Sequence, residues 1–276
     1  MSLSADLNGP TAAAAKKPPA LRVSGLSKVF VTPGGLFKPA YRTAALKDIS
    51  IEVQPSEILA IVGESGSGKT TIGRIVVGLL NPDSGAVYLG ERTLVDVSRG
   101  IVVPAAKRGI GMIFQDPTSS LNPRMRVRDV VGEGLQLAGV GRREIAERTA
   151  AALNLVGLRT EDLGRHPHQF SGGQRQRIGI ARAIVMEPAV LVADEPVSSL
   201  DVSVQMQVLN LILDIRDKLK LTVLFITHNI AVVEYLCDRV VVLSRGEIVE
   251  RGTTRAVIET PQHAYTQRLL QAVPRL

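Results

Sequence analysis

Residues 58–70 constrain the fold more than any other stretch of this chain. Ile58-Leu59-Ala60-Ile61-Val62 is a continuous apolar run, the pattern of a parallel strand buried on both faces. It runs straight into Gly63-Glu64-Ser65-Gly66-Ser67-Gly68-Lys69-Thr70-Thr71. Beyond that loop, Ile72, Ile75, Val76 and Leu79 fall at i, i+3, i+4 and i+7, one face of a helix. Two glycines with four residues between them, followed by Lys-Thr, form a phosphate-binding pattern. Glycine lets the backbone curl until its N–H groups point at phosphate oxygens, and the helix N-terminus adds its dipole. Lys69 is then expected to reach the β- and γ-phosphates of a nucleoside triphosphate, with the Thr70 hydroxyl on Mg²⁺. Gly63, Glu64, Ser65, Gly66, Ser67, Gly68, Lys69, Thr70 and Thr71 are the candidate nucleotide contacts.

The rest of the chain alternates in the same style. Leu21 to Phe30 and Ala44 to Val53 read as strands, separated by a loop marked by Pro33-Gly34-Gly35 and Pro39. Asn81-Pro82-Asp83-Ser84-Gly85 is turn chemistry expected to end the first helix. Arg108 to Phe114, Val190 to Ala193, Val223 to Ile226 and Arg239 to Leu243 read as further strands. Arg245-Gly246-Glu247 forms a tight turn before Ile248-Val249. Val204, Val208, Leu211, Ile212, Ile215 and Leu219 make another helical stripe. From Asn122 to about Arg177 strand signals vanish; Val127 to Ala138 and Arg142 to Val156 look helical, and Ile178 to Val185 continues a helix. The tail from Thr254 is expected to be mostly helical. An α/β core with a mostly parallel sheet, carrying an inserted helical block, accounts for this order. Aromatics are 3% of the chain and Trp is absent, so aliphatic side chains must fill the core.

Several function classes are disfavoured at this level. Cys237 is the only cysteine, which excludes an internal disulfide and reads as a small buried apolar side chain. No apolar run is long enough to span a bilayer. Met1 to Ala20 lacks the order of a secretory signal and reads as a disordered tail. The chain is therefore expected in the cytosol, with any membrane role supplied by a partner. The net charge of +7 permits nucleic acid, but the basic residues carry no interleaved aromatics on which bases would stack.

A second set of residues carries chemistry. The apolar run Val190-Leu191-Val192-Ala193 delivers Asp194 to a sheet edge, where it can hold the Mg²⁺ shell. Glu195 follows, and a carboxylate beside a γ-phosphate can orient or deprotonate an attacking water. Gln115 after Ile113-Phe114, His228 after Val223 to Thr227, and Asp201 after Ser199-Leu200 are individually unremarkable: a solvated loop residue, a structural histidine and a helix N-cap. Phe170-Ser171-Gly172-Gly173-Gln174-Arg175-Gln176-Arg177 is a second Gly-rich, helix-opening segment, far from the first.

The succession of phosphate loop, Gln115, Ser171-Gly172-Gly173-Gln174, Asp194-Glu195, Ser199-Leu200-Asp201 and His228 resembles the layout of the ABC ATPases from about Leu21 to Gly252. The resemblance implies an α/β, P-loop NTPase (RecA-like) core with an antiparallel β subdomain and an inserted α-helical subdomain. It implies a core over 21–115 and 178–253, a helical subdomain with the signature motif over 116–177, a C-terminal extension over 254–276 and the tail over 1–20. It implies ATP and Mg²⁺ as ligands, with Thr70, Gln115 and Asp194 near the metal. Glu195, His228 and Gln115 would be catalytic, and Asp201 would lie in a dimer-bridging loop. Ser171, Gly172, Gly173 and Gln174 would contact the nucleotide held by a second ABC ATPase subunit, in a homo- or heterodimer. Members usually stack an aromatic on adenine; Phe30 falls at that position and Tyr41 is its rival. Asn229 stands where the family often has Asp.

Finer marks resemble the oligopeptide/dipeptide importer branch. They are Phe114-Gln115-Asp116-Pro117-Thr118-Ser119-Ser120-Leu121-Asn122-Pro123, the run Asp194 to Gln205, and Pro261-Gln262-His263-Ala264-Tyr265-Thr266. The last is similar to a His-Pro-Tyr-Thr motif, with Ala264 in place of Pro. The branch implies transmembrane permease partners and an external solute-binding protein. It also implies a peripheral position on the cytoplasmic face of the inner (cell) membrane, and no nucleic acid. Peptides are the first expected solute; members of the branch also handle nickel, glutathione and oligosaccharides. The competing readings are a soluble ABC ATPase acting on nucleic acid or the ribosome, a monomeric P-loop kinase, and an exporter ATPase.

Overall fold

The computed structural model describes residues 18–34 and 41–271. The chain opens with β1 (Leu21–Thr32) and β2 (Tyr41–Val53), an antiparallel pair with Leu21 opposite Val53 and Thr32 opposite Tyr41. Then come β3 (Ile58–Val62) and α1 (Lys69–Val77), the expected strand, loop and helix. Three strands that local pattern did not reveal follow: β4 (Ser84–Leu89), β5 (Arg92–Asp96) and β6 (Ile101–Val102). They join the opening pair in a five-stranded antiparallel sheet of order β2-β1-β4-β5-β6.

Next is β7 (Ile110–Ile113), then a stretch without strands that holds α2 (Pro117–Ser120), α3 (Val127–Leu137), α4 (Arg142–Leu155) and α5 (Gly172–Ile184). The core resumes with β8 (Val190–Asp194), α6 (Val202–Leu219), β9 (Thr222–Thr227), α7 (Ile230–Leu236) and the hairpin β10 (Arg239–Ser244) and β11 (Glu247–Thr253). Two short helices close the described chain, α8 (Thr254–Glu259) and α9 (Ala264–Gln271). Ala264 is the first residue of α9, where Ala and Pro both start a helix well. The expected tail over residues 1–20 lies mostly outside the described residues; at its end, Ala20 already accepts the Gly90 N–H at 2.9 Å.

The second sheet has the order β11-β10-β3-β9-β8-β7, parallel except for β11 at one edge. Side-chain alternation assigns its two faces. Ile58, Ala60 and Val62 of β3 join Val223 and Phe225 of β9 in a core shared with the helices of the strand-free block. Leu59, Ile61, Leu224 and Ile226 face the other way, onto α1 and the antiparallel sheet. Burial on both faces is why these strands read as unbroken apolar runs.

The first helix ends earlier than its sequence pattern suggested. Gly78 takes φ 92° and its N–H bonds back to Arg74 and Ile75, so α1 stops at Val77. Ile72, Ile75 and Val76 are fully buried, whereas Leu79 lies beyond the cap and is 56% exposed. Ser84-Gly85, read as turn, instead begins β4.

Arg108, read as the start of a strand, has another role. It is the largest fully buried side chain among the described residues. Its Nη1 donates to the carbonyls of Ile75 (2.6 Å) and Val76 (3.0 Å), and its Nε donates to Val103 (2.8 Å). It thus caps the negative end of α1, the helix that presents Lys69 and Thr70. Burial pulls its pKa down, yet these carbonyls keep a cation acceptable there. Arg108→Ala is expected to lower unfolding stability by about 3 kcal/mol, through orphaned carbonyls and a cavity. The midpoint of urea unfolding checks this; a midpoint equal to the parent's would contradict the capping role.

Candidate functional site

All five parallel strands deliver residues to one edge. Gly63 follows β3, Gln115 lies two residues beyond β7, Asp194 ends β8, His228 follows β9 and Arg245 follows β10. Such an edge, beyond the carboxyl ends of parallel strands, is where α/β sheets bind ligands. Here it forms a cleft of about 1370 Å³, lined by the loop residues Gly63–Gly66 and Gly68–Thr71 and by Gln115, Glu195 and His228.

The loop's glycines are set by close packing behind it. A Cβ on Gly63 would lie 2.1 Å from the Leu243 carbonyl oxygen, and one on Gly68 would lie 2.5 Å from that of Ala45. Both also hold positive φ, 153° and 108°. Inside the curl, the buried Lys69 ammonium donates to the carbonyls of Gly63 and Glu64, both at 2.7 Å. Burial lowers its pKa; the charges of Glu195, Asp194 and Glu64 oppose that shift. Two of its three N–H donors are used, and phosphate oxygens are the natural competitors for them. Ser67 Oγ is buried with no hydrogen-bond partner.

Two oxygen donors meet at the base of the cleft. Thr70 Oγ1 donates to Asp194 Oδ1 at 3.0 Å. Asp194 is 4% exposed; burial raises its pKa, partly offset by the Thr70 hydrogen bond. Glu195 stands next to it with φ 46°, a conformation that costs a side-chain-bearing residue about 1 kcal/mol or more. Its N–H is held by Ile226 O at 2.8 Å. Its carboxylate receives Gln115 Nε2 at 3.1 Å on one oxygen and lies 3.1 Å from His228 Nδ1 on the other. The Gln, Glu and His that sequence order alone united are therefore in direct contact.

Phe30 and Tyr41 both line the cleft, from the β1–β2 hairpin. Phe30 pairs with Thr43 and Tyr41 with Thr32, so they are diagonal neighbours on one face of the sheet. Both are exposed, at 42% and 70%, so Phe30 is not a core residue. Lys28 Nζ lies 5.9 Å from the Phe30 ring centroid. Sequence reasoning missed Lys47, Arg245 and Leu269, which also line the cleft, and it gave no role to Tyr265. Arg245 adds positive charge suited to a polyanion, and Lys47, whose ammonium pairs with Glu247 at 2.8 Å, joins the wall by a contact 200 residues along the chain that carries no local signal.

The segment Ser171-Gly172-Gly173-Gln174 is elsewhere. Ser171 caps α5: its Oγ accepts the Gln174 N–H at 3.3 Å, while Gln174 Oε1 accepts the Ser171 N–H at 3.0 Å. Gly173 packs on α6, where a Cβ would sit 2.5 Å from Val204 Cγ1. None of Ser171, Gly172, Gly173 or Gln174 lines the cleft of their own chain. Asp201 is the N-cap residue of α6, with no side-chain capping bond.

The electrostatics make a test possible without nucleotide. Asp194 binds its proton more tightly when folded than when unfolded. Its favourable contribution is therefore complete below its ordinary pKa and disappears as pH rises through the elevated folded value. At neutral pH the buried carboxylate is a net cost. Asp194→Asn is expected to raise the nucleotide-free melting temperature at pH 7 by a few degrees, about 1 kcal/mol, and to flatten the fall in stability above the ordinary carboxylate range. Thermal melts from pH 4 to pH 8 check both; a variant less stable than the parent at pH 7 would refute the assignment.

Comparison with known proteins agrees with this geometry. A family model described as "ABC transporter" matches residues 46–198. The chain is 46% identical over 257 residues to a candidate peptide import ATP-binding protein of Brucella ovis, covering 93% of this chain and 79% of the relative. Among solved structures it is similar to cbiO1 of Clostridium perfringens, part of the ABC transporter complex cbiONQ. That match has a TM-score of 0.73 and 28% identity, over 88% of this chain and 92% of the other. It is also similar to the dimeric, post-hydrolysis ATP-binding cassette MJ0796 bound to ADP and Pi, with a TM-score of 0.70 and 27% identity, over 85% and 99%. With the cleft, the signature helix and these similarities together, the chain belongs to the ABC transporter family, as an ATP-hydrolysing, ATP-binding cassette subunit.

Proposed function

We propose that this chain powers a solute importer, most directly a peptide importer, by closing around ATP with a second cassette and reopening on hydrolysis. One observation carries the closing step. The capped, exposed N-terminus of α5 lies outside the cleft that gathers the other candidate phosphate contacts. A helix N-terminus is a ready site for phosphate oxygens. With Ser171 and Gly173 turned to a partner's cleft, each γ-phosphate lies between Lys69 of one chain and the signature of the other. The triphosphate then favours the closed dimer because only that state offers both sets of contacts.

Within one cleft the roles divide as follows. Phe30 or Tyr41 stacks on the adenine, and the 63–71 loop takes the phosphates. Thr70, Asp194 and the Gln115 amide are all-oxygen donors fit for Mg²⁺, and the buried Asp194 carboxylate, hydrogen-bonded by Thr70, is raised in pKa by burial that a cation would relieve. Mg²⁺ held there would neutralise charge on the β- and γ-phosphate oxygens. Glu195 orients the attacking water and accepts its proton as the new O–P bond forms and the bond to ADP breaks. His228, beside Glu195, holds the γ-phosphate, and Gln115 links the cleft to the block over residues 116–177. That block, with Gln115, is the docking face for transmembrane permease subunits. Together with the core over 21–115 and 178–253 and the extension over 254–276, it gives the division of labour along the chain.

No helix among the described residues is long and apolar enough to cross a membrane, so attachment at the cytoplasmic face comes through the permease. An external solute-binding protein selects the solute. Similarity to a candidate peptide import protein over 93% of the chain supports peptides over nucleic acid or ribosomes as the object of the work.

Lys69→Ala is expected to abolish ATP binding. Glu195→Gln should bind ATP normally, slow turnover about 10²–10⁴-fold and accumulate an ATP-dependent dimer on size exclusion. Adding Ser171→Arg to that variant should dissolve the dimer. A Glu195→Gln chain that binds ATP yet stays monomeric, alone and with its companion cassette, would sink the shared-pocket reading. Co-purification from detergent-solubilised membranes should bring down a permease; ribosomes in its place would overturn the importer reading.

A further inference from the structure

Tyr265 lies 201 residues beyond Glu64 of the loop, yet its Oη accepts the Glu64 N–H at 3.0 Å. That N–H belongs to the peptide unit joining Gly63 to Glu64. The carbonyl of the same unit, Gly63 O, accepts the Lys69 ammonium at 2.7 Å. A peptide unit is planar and trans, with N–H and C=O pointing opposite ways, so holding one end orients the other. Tyr265 and Lys69 thus occupy the two ends of one rigid plate. Gly63 precedes that plate and gives it little resistance to rotation, because glycine tolerates most backbone angles. The restraint must come from outside the loop.

The tyrosine is itself well placed. It is buried, at 9% exposure. Its own N–H is accepted by His263 Nδ1 at 3.1 Å. The turn before it hangs on the Glu250 carboxylate, which accepts the N–H groups of Gln262 (2.8 Å) and His263 (3.1 Å). One helical turn further on, Leu269 lines the nucleotide cleft. The side of α9 that holds the loop is thus also a wall of the site.

We propose that Tyr265 is a positioning residue for Lys69: through the Gly63–Glu64 peptide it fixes where the ammonium waits for phosphate, so α9 tunes ATP affinity from behind the loop. This rests on the reading that the 63–71 loop binds the phosphates of ATP. Tyr265 is not among the residues that line the cleft, and its hydroxyl acts on the loop through the Glu64 amide, so its removal affects capture of ATP rather than the chemical step.

The test uses the full chain with its companion cassette, comparing wild type with Tyr265→Phe, which keeps the ring and removes only the acceptor. Steady-state ATP turnover is read against ATP concentration, and deuterium exchange is read at the Glu64 amide without nucleotide. The KM for ATP is expected to rise about three- to tenfold with kcat within about twofold, the size of one lost hydrogen bond. Exchange at Glu64 should quicken. Glu250→Gln, which leaves the hydroxyl in place and loosens its support, should raise KM in the same direction by less. A Tyr265→Phe KM within about twofold of wild type, a fall in kcat alone, or a raised KM without faster exchange at Glu64 overturns the proposal. Wild-type ATP binding is measured first, and its absence would refute the underlying reading separately.

Discussion

The loop over residues 63–71 keeps its shape because backbone from both sheets crowds it. Leu243 of β10 presses on Gly63, and Ala45 of β2 presses on Gly68. The turn between β10 and β11 completes the clamp: the Gly246 N–H donates to Ser67 O at 3.0 Å, and Gly246 O accepts the Lys47 N–H at 2.8 Å. Side chains larger than hydrogen are excluded at these contacts. The loop's curvature is thus enforced by tertiary packing, while glycine content only permits it. Everything that depends on Lys69 and Thr70 being in place depends on this contact between the two sheets.

The site concentrates groups that a protein folded only for stability would avoid. Asp194 and Lys69 are charges taken out of water, each disfavoured by burial. Glu195 sits in a left-handed backbone conformation, its carboxylate between Gln115 and His228. Local strain and desolvated charge at one edge of a sheet mark a place organised for a ligand. The surrounding core is well able to offset them: β3, β8 and β9 are buried along their whole length.

Much of this was legible in the sequence wherever the signal was local. The apolar runs of β3, β8 and β9, the loop between β3 and α1, and the Gly-rich, helix-opening segment at Ser171-Gly172-Gly173 each need only a few neighbouring residues. What stayed hidden is non-local. β4 begins with the turn residues Ser84-Gly85 and gains its partner from β1, where Arg22 pairs with Tyr88, and the short β5 then pairs with β4. The end of α1 was misjudged because Gly78 outweighed the apolar periodicity that carried on to Leu79. Arg108 resembles any basic residue before a strand until its carbonyl partners, some 30 residues earlier in the chain, are in view. Tyr265 belonged to a recognisable motif, but the amide it holds is two-thirds of the chain away. The meeting of Gln115, Glu195 and His228 was inferred from order alone, and their contact distances are a property of strand register.

The strand order has a consequence for how the molecule is made. β3, which leads into the 63–71 loop, has β9 and β10 as its ladder neighbours among the described residues, and both are translated more than 150 residues after it. A nascent chain therefore displays the complete 63–70 motif on the ribosome well before the parallel sheet exists to hold it. Such long-range parallel pairing is slow and leaves apolar strands uncovered in the meantime. Truncation between residues 103 and 221 would yield a polypeptide with every loop residue intact but neither ladder neighbour of β3 behind them. The scaffold for nucleotide binding is thus completed late in synthesis, when about the last fifth of the chain emerges.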